Sequence, residues 1–219
     1  YDRITGKIDE FSTKSKKVNI DIDPSSINKN VKVDLAIVGD VKTVLSSTLK
    51  SLKQKKSKFL KSNKQKTSKW WEKIQKWRSV RSLDYIGSEE TIKPQYAIER
   101  LYELTKDKDS YITTEVGQHQ MWAAQHYKFN KPNRWMTSGG LGTMGYGLPA
   151  AVGVQVAHPK KLVIDIAGEA SVLMTIQEMS TAVQYNLPIK IFILNNQYMG
   201  MVRQWQELLH DKNYSESYT

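Results

Sequence analysis

The first third of the chain alternates between apolar and polar positions in two short segments. The segment KKVNIDI at 16–22 alternates, and the segment VDLAIVGD at 33–40 contains a short apolar run; both patterns predict β-strands. Asp23 stands before Pro24, an order typical of the start of a helix. Asp40 is likewise expected to cap a helix that follows the second strand.

The rest of the chain predicts a longer series of alternating helices and strands. Pro94 is expected to begin a helix. The apolar stripe along one face of this helix consists of Ala97, Ile98, Leu101 and Leu104. Almost continuously apolar strands are predicted at 111–116, 162–167 and 189–194, with helices around 148–157 and 174–185. Strands of this kind between helices indicate an α/β fold with a parallel sheet covered on both faces.

A lysine-rich stretch divides these two regions. Eleven lysines lie within residues 50–76, and Trp70, Trp71 and Trp77 are interleaved with the last of them. Basic residues beside aromatic rings are found in nucleic-acid-binding proteins. No nucleic-acid-binding motif accompanies them, so we favour a solvated connector leading into a helix that docks on a core through Trp70, Ile74 and Trp77.

Composition narrows the possible classes of protein. The 219 residues are 39% hydrophobic and 10% aromatic, which is enough for a core. The formal net charge is +11, and there is no apolar run long enough for a transmembrane helix. The absence of cysteine excludes disulfides and fits a cytoplasmic protein. The first residues lack a signal-peptide pattern, and both ends are expected to be those of a fragment.

Two oxygen-bearing side chains follow neighbouring predicted strands. Glu169 comes directly after one strand, and Asn196 follows the next, 27 positions later. The carboxyl ends of parallel strands meet at one edge of a sheet, where such sheets bind ligands. A carboxylate and an amide oxygen there are suitable ligands for Mg²⁺ carrying a diphosphate. A capped helix followed by an Asn-Asn turn would have the same spacing, so spacing alone leaves both interpretations open.

Two further segments are candidates for ligand binding. Residues 139–145 contain four glycines around Met144, but no lysine follows in the manner of a P-loop. Met144 would then pack either on a ring-shaped ligand or on ordinary neighbours. Gln118, His119 and Gln120 follow a strand and offer hydrogen-bond donors to a phosphate oxygen.

Four of these segments together resemble one enzyme family. VGQHQMWAAQ at 116–125, TSGGLGTMGYGLPAA at 137–151, the unit from Gly168 to Asn196, and GMVRQWQ at 200–206 are similar to the large subunit of acetolactate synthase. This family uses thiamine diphosphate. The segments YDRITGK and NIDIDPSSINKN resemble the end of its middle domain. The resemblance implies that residues 1–55 form the C-terminal part of a middle, FAD-associated domain and that residues 56–90 form a lysine-rich linker and a connecting helix. Residues 91–219 would form a thiamine-diphosphate-binding domain that is truncated at its C-terminus.

The resemblance also implies roles for individual residues. The expected Mg²⁺ ligands are Glu169, Asn196 and the backbone carbonyl of Tyr198. The expected neighbours of thiamine diphosphate are Gln118, His119, Gly142, Met144, Gly168, Ala170, Ser171 and Met201, with Met144 as the apolar support of the bent cofactor. The expected substrate pocket consists of Met201, Val202 and Trp205. The expected FAD contacts are Arg3, Asp21, Ile22, Asp40 and Val41.

The implied reaction is decarboxylation of pyruvate and ligation to a second 2-keto acid, pyruvate or 2-ketobutyrate, in branched-chain amino-acid biosynthesis. The family forms homodimers or homotetramers with a small regulatory subunit. Its activating Glu lies in an N-terminal domain not included in this sequence, so the chain alone is expected to be inactive.

One position departs from the general signature of these enzymes, which has Gly-Asp-Gly where this chain has Gly168-Glu169-Ala170. The alternatives are another thiamine-diphosphate decarboxylase or oxidase, such as a pyruvate oxidase, and a basic nucleic-acid-binding module. The segment from Gly200 to Trp205 argues against the pyruvate oxidase.

Overall fold

The chain divides into two compact units, Tyr1–Ser82 and Leu83–Thr219. The computed structural model describes residues 4–54 and 58–219; for residues 58–66 it describes the backbone alone. The predicted domain limits at residues 55 and 90 remain a prediction.

The first unit is built around two parallel strands. Strand β1 pairs with β2 so that Val18 lies opposite Leu35 and Asp21 lies opposite Val38. The carboxylate of Asp40 accepts the N–H of Thr43 at 2.9 Å and caps the following helix, as its position in the sequence predicts. The elements are 3₁₀ turns Ile8–Glu10 and Pro24–Ser26, strands β1 (Val18–Asp21) and β2 (Leu35–Val38), and helices α1 (Val41–Gln54) and α2 (Lys58–Ser79).

Two expectations for this unit are wrong. Asp23 caps the N–H of Ser25, as expected, but the segment after it forms a single 3₁₀ turn instead of a helix. The indole rings of Trp70 and Trp77 do not dock on a core: both side chains are about half exposed, and they pack edge to face at 5.5 Å. The ammonium of Lys73 lies over both rings. Helical spacing placed these rings on one stripe, but spacing does not determine what a stripe faces.

The second unit contains a four-stranded parallel sheet, with the order β4-β3-β5-β6. Helices alternate with its strands, so the predicted α/β fold class is confirmed. The strands are β3 (Tyr111–Thr114), β4 (Trp135–Thr137), β5 (Val163–Ala167) and β6 (Lys190–Ile193). The helices are α3 (Pro94–Thr105), α4 (Gln118–His126), α5 (Gly147–Ala157), α6 (Glu169–Leu173), α7 (Glu178–Gln184) and α8 (Gly200–Leu209).

The two central strands of this sheet form the centre of the core. All residues of β3 and β5 are buried, and alternate side chains point to opposite faces. On one face Ile112 and Ile166 pack with Ile98 of α3, and on the other Val163 packs with Ala151 of α5. Leu104, also predicted to lie on the buried stripe of α3, is 67% exposed.

The parallel topology brings three strand ends to one edge of the sheet. Strands β3, β5 and β6 are followed there by the segments at 115–120, 168–171 and 194–198. These segments contain most of the residues predicted to bind thiamine diphosphate and Mg²⁺. Among the described residues, no helix has the length and apolar character that a membrane span needs.

Candidate functional site

A pocket lies at the carboxyl edge of the four-stranded sheet. Residues from the first turns after β3 and β5 line one part of it, namely Gln118, His119, Gly168, Glu169, Ala170 and Ser171. Other segments contribute Met144, Asn196, Tyr198, Met201 and Val202. The tertiary structure therefore brings together residues that are up to 84 positions apart in the sequence.

The oxygens of Glu169 and Asn196 converge in this pocket. The carboxylate of Glu169 accepts the N–H of Tyr198 at 2.9 Å and that of Asn196 at 3.3 Å. The side-chain oxygen of Asn196 accepts the same Tyr198 N–H at 3.1 Å. Glu169 is one methylene longer than the Asp of the family signature, and its carboxylate still reaches the loop that carries Asn196. Two hard oxygen atoms, of the kind that Mg²⁺ prefers, thus accept the same backbone N–H.

His119 lies flat against two glycines. A Cβ at Gly117 would lie 2.7 Å from the ring Cε1, and a Cβ at Gly168 would lie 2.8 Å from Nδ1. Gly117 also has a φ of +155°, which side chains rarely adopt. The ring can occupy this place because neither glycine has a side chain.

The buried imidazole of His119 retains an open hydrogen-bonding position. Its Nε2 has no hydrogen-bond partner among the described residues. Burial lowers the pKa of His119 to about 4, against the opposing effect of a hydrogen bond to the backbone of Glu115. The ring is therefore neutral at pH 7, and a buried nitrogen without a partner is what a ligand in this pocket would satisfy.

Gln118 connects the end of β3 to helix α8. Its side-chain N–H donates to the Oε1 of Gln204 at 2.9 Å. A Cβ at Gly200 would collide with the Gln118 amide, so the first residue of α8 must be glycine for this approach. The contact holds Met201 and Val202, the next two residues, at the rim of the pocket.

Sequence reasoning missed the group that holds the glycine-dense loop. Glu115 is fully buried, and its carboxylate accepts the N–H groups of Gly145 at 2.6 Å and Leu148 at 3.0 Å. In the sequence, Glu115 lies within a predicted strand and has no predicted role. An acidic residue near the end of a β-branched strand that is expected to be buried was the available signal.

Two predicted residues lie outside the pocket lining. Gly142 is exposed, with a φ of +69° that suits glycine. Trp205 is 55% exposed on α8. Their predicted contacts with cofactor and substrate stay predictions.

The predicted FAD residues lie at the carboxyl ends of β1 and β2. Asp21 and Ile22 end the first strand, and Asp40 and Val41 follow the second. The carbonyl of Asp21 accepts the N–H of Gly39 at 2.8 Å, so the two strand ends lie side by side. Arg3, the fifth predicted contact, lies outside the described residues.

The donor set of the pocket fits Mg²⁺ together with an anionic ligand. Within the described part of the chain, no three His, Cys, Asp or Glu side chains form a metal-binding group. A cation here would therefore depend on one carboxylate, an amide oxygen, backbone carbonyls and the oxygens of the ligand itself. Mg²⁺ typically binds to diphosphates in proteins with such a mixed set.

Comparisons with known proteins agree with the fold and the pocket. The family model "Thiamine pyrophosphate enzyme, C-terminal TPP binding domain" matches residues 115–219, and the model of the central domain of the same enzymes matches residues 1–48. The C-terminal match includes every residue named above as lining the pocket.

Curated relatives match nearly the whole chain. Over 217 residues the chain is 46% identical to the acetolactate synthase isozyme 3 large subunit of Escherichia coli K12. It is 48% identical to the large subunit of Buchnera aphidicola subsp. Schizaphis graminum and 45% identical to that of Haemophilus influenzae. Each match covers 99% of this chain but 37% of the relative, so the chain spans little more than a third of their length. The chain belongs to the thiamine pyrophosphate enzyme family, and it is similar over nearly its whole length to acetolactate synthase large subunits.

Proposed function

We propose that this chain is the cofactor-binding portion of an acetolactate synthase large subunit, and that its pocket binds thiamine diphosphate with Mg²⁺. In the complete protein the reaction is decarboxylation of pyruvate and ligation to a second 2-keto acid, pyruvate or 2-ketobutyrate. This step belongs to the biosynthesis of valine, leucine and isoleucine. The names of the curated relatives and the match to the cofactor-binding domain support the proposal.

One observation carries the assignment of the pocket. The carboxylate of Glu169 and the amide oxygen of Asn196 accept the same N–H, that of Tyr198, at the carboxyl ends of β5 and β6. A divalent cation bound here would take these two oxygens and the Tyr198 carbonyl as protein ligands, with water and diphosphate oxygens as the rest.

The other residues of the pocket divide by position. Backbone around Gly168, Ala170 and Ser171 lies where the diphosphate would bind, with Gln118 and His119 beside it. The neutral His119 lies beside them without adding charge. Met144 supplies an apolar surface for the rings, and Gly142 offers a backbone carbonyl to the aminopyrimidine.

The protein surface around the cofactor would determine the substrate. Bound thiamine diphosphate supplies the electron sink that decarboxylation of a 2-keto acid requires. Met201, Val202 and Trp205 follow one another along the exposed start of α8, where an incoming 2-keto acid would contact them. Met201 and Val202 both line the pocket, and Met201 would also contact the cofactor.

Further parts of the proposal concern the complete protein. FAD would bind at the strand ends that carry Asp21, Ile22, Asp40 and Val41. The complete large subunit would form homodimers or homotetramers with a small regulatory subunit in the cytoplasm. Acetolactate formation by the complete protein, assayed with pyruvate alone and with added 2-ketobutyrate, tests the reaction itself.

Calorimetric titration of this chain with thiamine diphosphate, with and without MgCl₂, tests the site. We expect binding that needs Mg²⁺ and that falls at least tenfold in Glu169→Ala and in Asn196→Ala, because each change removes one metal ligand. Glu178→Ala, which removes a carboxylate from α7 outside the pocket lining, is the control and should bind like the unchanged chain. Equal binding in the absence of Mg²⁺, or in Glu169→Ala, would contradict the proposal.

A further inference from the structure

The loop that precedes α5 is held at one residue from two sides. The N–H of Gly145 donates to the carboxylate of Glu115 at 2.6 Å. The carbonyl of the same residue accepts the hydroxyl of Thr175 at 3.0 Å. We call Glu115 and Thr175 the Gly145 clamp, because together they bind both polar groups of that residue.

Both oxygens of the Glu115 carboxylate are used on this loop. Oε2 accepts the N–H of Gly145, and Oε1 accepts that of Leu148 in the first turn of α5. The side chain is fully buried, and burial raises the pKa of Glu115 while these backbone hydrogen bonds lower it. A buried carboxylate is costly unless such donors compensate it, so the residue has a specific structural purpose.

Steric fit leaves this segment little freedom. Gly145 has a φ of +84°, and a Cβ there would lie 3.0 Å from Thr175 Cγ2 and 3.2 Å from Met174 Cβ. Two residues later, a Cβ at Gly147 would lie 2.6 Å from the backbone N of Glu115. Hydrogen bonds and close packing therefore fix the same short stretch of backbone.

Met144 precedes the clamped residue directly and lines the pocket, whereas neither residue of the Gly145 clamp does so. The carboxylate of Glu115 and the hydroxyl of Thr175 contact the backbone of Gly145, whereas the residues that would hold the diphosphate lie at other positions of the segments after β3 and β5. A substitution that changes only these two side-chain groups would thus move Met144 and leave the diphosphate end of the pocket in place.

We propose that Glu115 and Thr175 are positioning residues that hold Met144 against the rings of the bound cofactor. The inference rests on the proposed function of the pocket. Their effect is selective: they increase affinity for the ring portion of thiamine diphosphate and leave affinity for its diphosphate portion unchanged.

The experiment compares thiamine diphosphate with inorganic pyrophosphate, both with Mg²⁺, by calorimetric titration of the whole chain. Thr175→Val keeps the shape of the side chain but removes the hydroxyl, and Thr175→Ser keeps the hydroxyl. Glu115→Gln keeps the shape but turns an NH₂ group towards a backbone donor. One hydrogen bond to a neutral or charged partner corresponds to about tenfold in affinity.

We expect Thr175→Val and Glu115→Gln to bind thiamine diphosphate about tenfold more weakly and pyrophosphate as well as the unchanged chain does. Thr175→Ser keeps the hydroxyl and should bind both ligands as the unchanged chain does. Met144→Ala should reproduce the selective loss of thiamine diphosphate binding. If Glu115→Gln fails to fold, Thr175→Val and Thr175→Ser decide the question.

Two results would overturn the inference alone: unchanged binding of thiamine diphosphate in Thr175→Val, or an equal loss of both ligands, which would indicate general damage to the pocket. A different result would overturn the proposed function as well. If the unchanged chain binds neither thiamine diphosphate nor pyrophosphate with Mg²⁺, the pocket is not the cofactor site.

Discussion

Parallel strands form in both units of the chain, but only one of the two sheets is buried. In the second unit every residue of β3 and β5 is buried, whereas Leu35 and Val38 of β2 are 52% and 57% exposed. Among the described side chains of the first unit, Val31 is the one buried apolar residue. The first sheet has two strands, whereas the second has four and is covered by helices on both faces, and more neighbours bury more of each strand.

The acidic residues differ in the same way. Asp40 is exposed at the end of β2 and caps α1, while Glu115 and Asp165 are fully buried within or beside the four-stranded sheet. A carboxylate at an exposed strand end needs no partner apart from water. A buried carboxylate needs hydrogen bonds. The hydrogen bonds of Glu115 join it to Gly145 and Leu148, in and after the loop beside the pocket.

The largest expected effect comes from truncating a core side chain. Ile166→Ala removes a side chain that is fully buried, and it should reduce the free energy of unfolding of the second unit by about 4 kcal/mol. Ile37→Ala, in β2, removes a partly exposed side chain and should cost less than about 1.5 kcal/mol. Hydrogen exchange followed by mass spectrometry during urea unfolding reports each unit separately. Similar costs in both units would mean that the first unit is as well packed as the second.

A single added methyl group should have the next largest effect. A Cβ at Gly147 would lie 2.6 Å from the backbone N of Glu115 and 2.7 Å from the backbone C of Thr114, so Gly147→Ala should destabilise the second unit by about 3 kcal/mol. Gly153→Ala, in the same helix, meets no atom within 4 Å and should be neutral or stabilising by up to about 1 kcal/mol. Gly39→Ala, in the first unit, would meet Val44 at 3.4 Å and should be tolerated. Equal unfolding midpoints for Gly147→Ala and Gly153→Ala would refute this close packing.

Asp165 in the second unit and the hydrogen-bonded carboxylates of the first unit should contribute to stability with opposite pH dependence. Burial raises the pKa of Asp165 from 3.8 to about 7, because desolvation outweighs its hydrogen bond from Thr113. The folded second unit therefore keeps a proton on Asp165 that the unfolded chain has lost, so the contribution of Asp165 to stability should fall between about pH 4 and pH 7, by at most about 1.4 kcal/mol per pH unit. The lowered pKa of His119 contributes in the opposite direction, so the measurement is the difference between the unchanged chain and Asp165→Asn in urea unfolding across this range, where Asp165→Asn should gain stability relative to the unchanged chain as the pH rises.

In the first unit the backbone N–H of Lys17 lowers the pKa of Asp34, and that of Thr43 lowers the pKa of Asp40. These groups contribute stability that is present above their unfolded value of 3.8 and is lost as the pH falls below it. The same pH dependence of unfolding in the unchanged chain and in Asp165→Asn would contradict the raised pKa of Asp165.

The smallest expected effect is the loss of an exposed helix cap. Asp40→Ala removes the acceptor for the N–H of Thr43, so the first turn of α1 should exchange its amide hydrogens faster. Asp40→Asn keeps an acceptor oxygen and should exchange like the unchanged chain. Protection of the four-stranded sheet should not change in either variant, and a change there would show that the cap affects more than its own helix.

The sequence by itself determined the order of elements and the residues at their ends. Pro94 begins α3 and Asp40 caps α1, because these residues act through their own backbone and their nearest neighbours. Parallel topology follows from apolar strands between helices, and it was enough to predict that Glu169 and Asn196 lie close together. Local chemistry and one topological rule account for these results.

The tertiary structure decided which stripes are buried and which buried groups are paired. Helical spacing could not distinguish Ile98, which is buried, from Leu104, which is exposed, or show that Trp70 and Trp77 pack on each other. The hydrogen bond from Gly145 to Glu115 joins residues 30 positions apart. Such contacts depend on how β3, β5 and α5 pack in three dimensions, and the periodicity of a single segment does not contain that information.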